Sequence, residues 1–178
     1  MSKKTITMGL AVVILFQIVV LGSEYVGAIY PLWTGEEVRL RTHPVDPRSL
    51  FRGNYARLRY GISTIEWKGQ VGEKEPRRGE VVYVKLEPTA SGLYEFGGVE
   101  LEKPKGGLFI RGRIQGKHIQ NKKVLYNVRY GIEAYFAPKE KALALEKKLR
   151  GGGVAIIMIA GNGKAALKEV TSNRNNTG

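Results

Sequence analysis

Residues 56–62 read Ala-Arg-Leu-Arg-Tyr-Gly-Ile, and their side chains alternate between apolar and charged types. Ala56, Leu58, Tyr60 and Ile62 fall on one face of an extended chain, and the two arginines fall on the other. Such a period of two is typical of a strand that is buried on one side. This stretch therefore predicts a domain built mainly of β-strands.

Seven further segments have the composition of strands. They are residues 36–42, 80–87, 92–96, 108–114, 124–136, 154–160 and 165–170. One helix is predicted from Pro138 to Arg150, because proline suits the first position of a helix and three glycines follow Arg150 and stop it. The predicted fold class is mainly β with one α-helix in the C-terminal half, arranged as a β-sandwich or a barrel-like domain.

An internal repeat connects two distant parts of the chain. Arg-Tyr-Gly-Ile at residues 59–62 recurs at residues 129–132, and Leu-Phe followed by Arg-Gly precedes each copy, at 50–53 and at 108–112. The matches come in the same order, which predicts two pseudo-equivalent halves. Chance similarity between short β-segments is the alternative.

Equivalent halves would place the same side chains in the same environments. The tyrosine and isoleucine of both copies are expected in the core and both arginines in solvent. Gly61 and Gly131 are expected at a strand bulge or at a close approach of two backbones.

The N-terminus has the pattern of a membrane anchor. Lys3 and Lys4 precede an apolar run from Ile6 to Gly22. Such a helix is about 25 Å long, slightly short of a hydrocarbon core of about 30 Å, and continuation to Tyr30 would lengthen it. The two lysines predict a cytoplasmic N-terminus and a domain outside the cell membrane.

The domain organisation follows from this anchor. We expect an anchor at 1–29, an extracytoplasmic β-rich domain at 30–170 and a polar, disordered tail at 171–178. A signal peptide cleaved before Ser23 is one alternative, although the site is a poor one. A buried helix of a soluble protein is another.

Composition limits the chemistry that this chain can perform. A net charge of +13 favours anionic partners such as lipid headgroups, cell-wall polymers or nucleic acid. There is no cysteine, which excludes disulfides, a thiol nucleophile and a thiolate zinc site. With two histidines and the single aspartate Asp46, no metal site, cofactor or catalytic residue is predicted.

The most specific motif lies at residues 53–60, which read Gly-Asn-Tyr-Ala-Arg-Leu-Arg-Tyr. It resembles the GDYXXLXY family, named for Gly-Asp-Tyr-x-x-Leu-x-Tyr, and the likeness extends over about residues 30–170, including 78–87 and 130–136. The resemblance implies a membrane-anchored envelope protein, often associated with multi-pass membrane proteins, and carries no established activity. Asn54 stands where the motif has aspartate, so a mechanism that needs a carboxylate there would fail in this chain.

The motif has a structural and a functional interpretation. In the first, Gly53 and Asn54 turn the chain into the strand. In the second, arginines beside a tyrosine form a patch that holds an anionic or planar group. The motif and patch residues together are Arg48, Arg52, Gly53, Asn54, Tyr55, Arg57, Leu58 and Tyr60.

The predicted function is that of a non-enzymatic accessory or binding module for an envelope membrane protein. Its expected partners are the bilayer, a multi-pass membrane protein and an anionic ligand. A polyanion-binding domain is one alternative. The other is a membrane peptidase with a serine nucleophile and a lysine base, since residues 78–85 look like a strand of type I signal peptidases. That family's Ser-x-Ser-Met motif is missing before this strand, and Lys85 is expected to face solvent.

Overall fold

The computed structural model describes residues 3–44, 55–67, 75–136 and 152–172. These residues contain one helix and ten strands: α1 Lys3–Thr34, β1 Glu36–Pro44, β2 Tyr55–Tyr60, β3 Thr64–Glu66, β4 Val81–Pro88, β5 Tyr94–Glu100, β6 Phe109–Gln120, β7 Lys123–Arg129, β8 Ala134–Phe136, β9 Gly153–Ile159 and β10 Ala165–Ser172.

Helix α1 stands apart from the sheet over most of its length. Its 32 residues extend for about 48 Å, and every residue from Lys3 to Val26 is exposed. The helix is long and apolar enough to cross a membrane. By length and composition it suits a membrane anchor or a signal sequence.

The end of α1 is joined closely to the sheet. Gly35, the single residue between α1 and β1, donates its amide hydrogen to the Pro31 carbonyl at 2.9 Å. A β-carbon on Gly35 would lie 2.8 Å from the backbone nitrogen of Ile159. Only glycine fits this approach, which brings the end of the helix against β9 and β10.

The ten strands form one mixed sheet. The order is β10-β9-β1-β5-β4-β6-β7-β3, and β2 pairs with both β1 and β8. The β1–β5 pair is parallel and the other pairs are antiparallel. Val170 at one end of this order and Ile65 at the other belong to the same buried cluster. The sheet therefore curls around one core, as expected of the barrel-like alternative.

The strand predictions are confirmed in type, with three differences. The segment 124–136 contains two strands, β7 and β8, separated by a turn, and β3 was not predicted. The predicted tail begins too early, since β10 continues to Ser172. The only helix within the described residues is N-terminal. The helix predicted from Pro138 to Arg150 lies outside them, as do residues 173–178.

The topology repeats after five strands. Strands β1 and β2 form an antiparallel pair as β6 and β7 do, and β4 and β5 pair as β9 and β10 do. The halves also exchange strands in the same way: β4 pairs with β6 and β9 with β1, while β2 pairs with β8 and β7 with β3. Each half thus completes the sheet of the other.

The registers follow the same repeat. Arg57 is paired with Ala134, and the positions 70 residues away, Asn127 and Thr64, are paired with each other. In the last hairpin of each half, β4–β5 and β9–β10, equivalent positions are 71 residues apart. Gly92 and Gly163 are such a pair in the turns of these hairpins, with φ angles of 74° and 79°. The two pseudo-equivalent halves predicted from the sequence are present in the fold.

Candidate functional site

Two tyrosines form the centre of the domain. The Tyr60 hydroxyl donates to the Ile132 carbonyl at 2.5 Å, and the Tyr130 hydroxyl donates to the Ile62 carbonyl at 2.7 Å. Tyr60 is 2% and Tyr130 7% exposed. The hydrogen bonds are reciprocal, so each copy of Arg-Tyr-Gly-Ile binds the other across the core.

The turns that follow the two tyrosines are closed by the residue three positions later. The Tyr60 amide donates to the Ser63 hydroxyl at 2.9 Å, and the Tyr130 amide donates to the Glu133 carboxylate at 2.6 Å. That carboxylate also accepts from the Gly131 amide at 3.0 Å. In both halves the tyrosine amide is hydrogen-bonded to the side chain three residues later. The acceptor is a neutral hydroxyl in the first half and an ionisable carboxylate in the second.

Both tyrosine hydroxyls are held in the protonated form. Burial raises the pKa of Tyr60 and of Tyr130 well above the usual 10, and the nearby Glu133 carboxylate raises both further. A phenol that keeps its proton remains a hydrogen-bond donor. The tyrosine pair therefore acts as a structural clamp.

The motif residues separate into two groups in the structure. Leu58 and Tyr60 are 1% and 2% exposed and belong to the core, while Arg57 points into solvent. The backbone of Tyr55 is paired with that of Phe136 in β8. The other four predicted site residues, Arg48, Arg52, Gly53 and Asn54, lie outside the described residues. The end of the motif thus holds the two halves together, and the binding patch stays a prediction.

The glycines of the repeat have a different role from the predicted one. Gly61 and Gly131 lie in exposed turns, and a β-carbon on either would meet no atom within 4 Å. The prediction of a strand bulge or a close backbone approach at these two glycines is therefore wrong. Gly131 has a φ of 86°, so its turn does need glycine. A register shift occurs instead in β6, between Ile114 and Gly116.

A cavity lies beside that register shift. Its volume is about 480 Å³, and it lies between the segment before β4 and the β6–β7 hairpin. Its lining residues include Glu75, Arg77, Arg78, Lys117 and Tyr126. Three cationic side chains, one carboxylate and one phenol thus surround one opening.

Two hydrogen bonds connect three of the residues that line this cavity. The Glu75 carboxylate accepts from the Lys117 ammonium at 2.8 Å and from the Tyr126 hydroxyl at 3.2 Å. Lys117, by its hydrogen bond and its charge, lowers the pKa of Glu75, and Tyr126 lowers it less. Burial raises the pKa of Tyr126, with a smaller effect of Glu75. Tyr126 is 1% exposed, whereas the side chains of Lys117 and Glu75 are 58% and 59% exposed, so the ion pair faces solvent and only the tyrosine is buried.

The two arginines of the cavity are exposed, and neither forms an ion pair with another residue in the described part of the chain. Sequence reasoning missed this site because its members are far apart in the chain. Arg77 and Arg78 precede β4, whereas Lys117 and Tyr126 lie on β6 and β7. Only the exchange of strands between halves, in which β4 pairs with β6, brings them together.

The residues of the peptidase alternative have other contacts. Lys85 forms an ion pair with Glu100 on the outer face of the sheet, and Ser63 accepts from the Tyr60 amide inside the tyrosine centre. Ser49 lies outside the described residues. Within the described ranges, no three His, Asp or Glu side chains are grouped so as to hold a metal ion.

Comparison with known proteins gives one match. The sequence model of the family described as "GDYXXLXY protein" matches residues 17–170, which is most of the chain and includes both halves of the sheet. No curated protein and no solved structure matches the chain.

Proposed function

We propose that this chain, which belongs to the GDYXXLXY family, is a membrane-anchored extracytoplasmic domain that binds an envelope membrane protein and assists it without catalysing a reaction. One observation carries the proposal. The apolar side chains of α1 are exposed, and this same helix is joined to the first strand through the single residue Gly35.

The dimensions of α1 fit a bilayer. Lys4 and Glu24 are the charges that border the apolar stretch, and they are 20 positions apart, which corresponds to about 30 Å along the helix. The apolar side chains from Ile6 to Leu21 are 41–71% exposed. A surface of this kind is stable in lipid and unstable in water.

The two tyrosines and the tryptophan of α1 lie at the end of the helix that is nearest the domain. Tyr25, Tyr30 and Trp33 are exposed in the last ten residues of the helix. Tyrosine and tryptophan concentrate where a membrane meets water. They support an outer boundary of the bilayer near the end of α1, with Lys3 and Lys4 at the cytoplasmic boundary.

The sheet covers the last turns of the helix. Pro31 is buried, and the Lys164 ammonium reaches the helix beside Gly27, 3.4 Å from the place of a β-carbon. The sheet therefore lies against one side of the helix from Gly27 onward, and the domain rests on the membrane surface. From there it reaches the extracytoplasmic loops of a multi-pass protein in the same membrane.

The natural absence of cysteine allows a direct test of topology. Single cysteines placed at Ser2 and at Ser91, which is exposed in the turn before β5, report on the two sides of the membrane. In intact cells we expect a membrane-impermeant maleimide to label Ser91→Cys and to spare Ser2→Cys until the cells are opened. Labelling in the reverse order contradicts the proposed orientation.

N-terminal sequencing separates an anchor from a cleaved signal. We expect the mature chain to begin near Met1 and to remain in the membrane pellet after alkaline carbonate extraction. A soluble chain that begins at Ser23 contradicts the anchor.

Affinity capture from gently solubilised membranes tests partner binding. The matched control is α1 through Gly35 fused to an unrelated soluble domain, which keeps the anchor and removes the sheet. We expect a membrane protein that the full chain recovers and the control does not. Recovery by neither chain contradicts the accessory role. Labelling by a serine-reactive probe that Lys85→Ala abolishes would favour the peptidase alternative.

The polyanion alternative is favoured by one structural observation, the three cationic side chains around the cavity. It predicts salt-dependent binding to oligonucleotides or anionic vesicles that does not need α1. The accessory role predicts binding to a specific protein that weakens little with salt.

A further inference from the structure

We propose that the cavity formed by Glu75, Arg77, Arg78, Lys117 and Tyr126 binds a small anion that carries a phosphate or carboxylate group. The site lies in the β-rich domain and uses no residue of α1, so binding of a small anion can be measured separately from binding of a membrane protein.

The charges of the cavity favour an anion. Arg77, Arg78 and Lys117 contribute three positive charges and Glu75 one negative charge. Lys117 is paired with Glu75, which leaves the two arginines for a ligand. Guanidinium groups bind planar carboxylates and phosphates with two parallel hydrogen bonds, so two adjacent arginines suit such groups.

The segment that carries the arginines is fixed to β6. The Gly79 amide donates to the Ile114 carbonyl at 2.7 Å, and Arg113 Nη1 donates to the Gly79 carbonyl at 3.0 Å. The Arg77 amide donates to the Glu80 carboxylate at 2.8 Å. A backbone held in this way lowers the entropy that a ligand must overcome to order its site.

The two halves of the fold differ at this cavity. Some core positions keep their type at an offset of 70 residues, as Leu58 and Val128 do. At the same offset, Tyr126 corresponds to Ala56, and Lys117 corresponds to Pro47 in sequence. Strand β2 forms with alanine at the position equivalent to Tyr126, so strand formation does not require a tyrosine there. A ligand gives a reason for a lysine and a tyrosine at these two positions of the second half.

Glu75 gives the site a specific signature. Its carboxylate forms an ion pair with Lys117 and lines the same cavity as the two arginines. It therefore repels an anion that enters the cavity. Removing its charge frees Lys117 and removes the repulsion. Glu75→Gln should therefore bind an anion more tightly than the unmodified chain, which is opposite to the effect expected of a cation site.

The position of the cavity favours a soluble anion over the lipids of the chain's own membrane. The Arg111 amide contacts the Gly163 carbonyl in the β9–β10 turn, the turn that lies against α1. Lys117 is six residues further along β6, about 20 Å away in an extended strand. The opening is thus displaced from the helix end of the sheet.

The test uses the full chain in neutral detergent at fixed ionic strength. Isothermal titration calorimetry measures binding of pyrophosphate and of citrate as phosphate and carboxylate probes. Arg78→Gln and Arg77→Gln should each weaken binding about tenfold, the loss of one charge-assisted hydrogen bond. Lys105→Gln, an equal charge change at an exposed residue outside the cavity, should change binding less than twofold.

Each result decides for or against the site. Tighter binding by Glu75→Gln together with weaker binding by both arginine variants supports it. An equal loss in Lys105→Gln, or no binding of either probe at millimolar concentration, overturns it. Vesicles with anionic lipids provide the second source of phosphate, and binding confined to them and unaffected by the arginine variants also overturns it.

Discussion

The two halves of the domain share a central pair of tyrosines and differ around it. Tyr60 and Tyr130 occupy equivalent places, and each donates to the carbonyl of the isoleucine in the other half. Outside this centre the halves differ. Ser63 closes one turn and Glu133 the other, and Tyr126, which borders the basic cavity, corresponds to Ala56 in the first half.

This difference distinguishes residues that the fold requires in both halves from residues that are free to serve a function in one of them. Each half supplies strands that complete the sheet of the other, so residues where the halves meet must fit both. The tyrosines and isoleucines of the repeat lie there and are the same in both copies. Lys117 and Tyr126 face the segment before β4, and their side chains differ from those at the equivalent positions of the sequence, Pro47 and Ala56.

The largest test of the equivalence is truncation of either tyrosine. Tyr60→Ala and Tyr130→Ala each leave a cavity in the core and an unpaired carbonyl, and each should lower the free energy of unfolding by about 3–5 kcal/mol. Arg59→Ala and Arg129→Ala, at neighbouring exposed positions, should cost less than about 0.5 kcal/mol. Urea denaturation of the full chain in detergent measures all four. A large loss for one tyrosine and a small loss for the other contradicts the equivalence.

Alternation and repetition in the sequence predicted this part of the fold. The period of two placed Tyr60 and Ile62 in the core and Arg59 outside, and the repeated letters extended that assignment to the second half. These signals are local, because each depends only on the spacing of residues along one strand. They require no knowledge of which strands are neighbours.

The cavity and the strand exchange could not be predicted in this way. Strand partners in an antiparallel sheet depend on contacts between distant segments, and no local period specifies that β4 pairs with β6. Arg78 and Lys117 therefore gave no signal of lying together. The short strand β3 was missed for a related reason, since its three residues are extended by pairing with β7.

Removing only the hydroxyl groups sharpens the comparison. Tyr60→Phe leaves the Ile132 carbonyl without its donor, and Tyr130→Phe does the same to Ile62. Each should cost about 1–3 kcal/mol of unfolding free energy, the usual effect of an unsatisfied buried group. Equivalence predicts that the two losses differ by less than about 1 kcal/mol, with the same denaturation assay as the measurement. A near-zero loss in one variant would show that one hydrogen bond does not form.

The glycines of the repeat should break the equivalence. Gly131 has a φ of 86°, and Gly61 is not among the residues with positive φ. Gly131→Ala should therefore cost about 1–2 kcal/mol, since a β-carbon is disfavoured in that conformation. Gly61→Ala should change stability by less than about 0.5 kcal/mol, because a β-carbon there meets no atom within 4 Å. Equal thermal stability of the two variants would contradict the difference in backbone conformation.

The smallest expected effect is the titration of Glu75, the carboxylate of the basic cavity. The Lys117 ammonium, and to a lesser extent Tyr126, holds the pKa of Glu75 below its ordinary value of 4.5. A carboxyl with a lowered folded pKa stabilises the fold above its unfolded pKa, and this contribution is lost as pH falls through the folded pKa. The loss therefore falls below about pH 4.5. Lys117→Gln removes the largest cause of the lowered pKa, so the pKa of Glu75 should rise toward 4.5 in a carboxyl-carbon NMR titration.

Lys168→Gln is the matched control, since Lys168 is the main cause of the lowered pKa of Glu37. It should raise the pKa of Glu37 and leave that of Glu75 unchanged. If Glu75 titrates identically with and without Lys117, the ion pair does not form in solution, and Glu75 does not restrain Lys117 in the cavity.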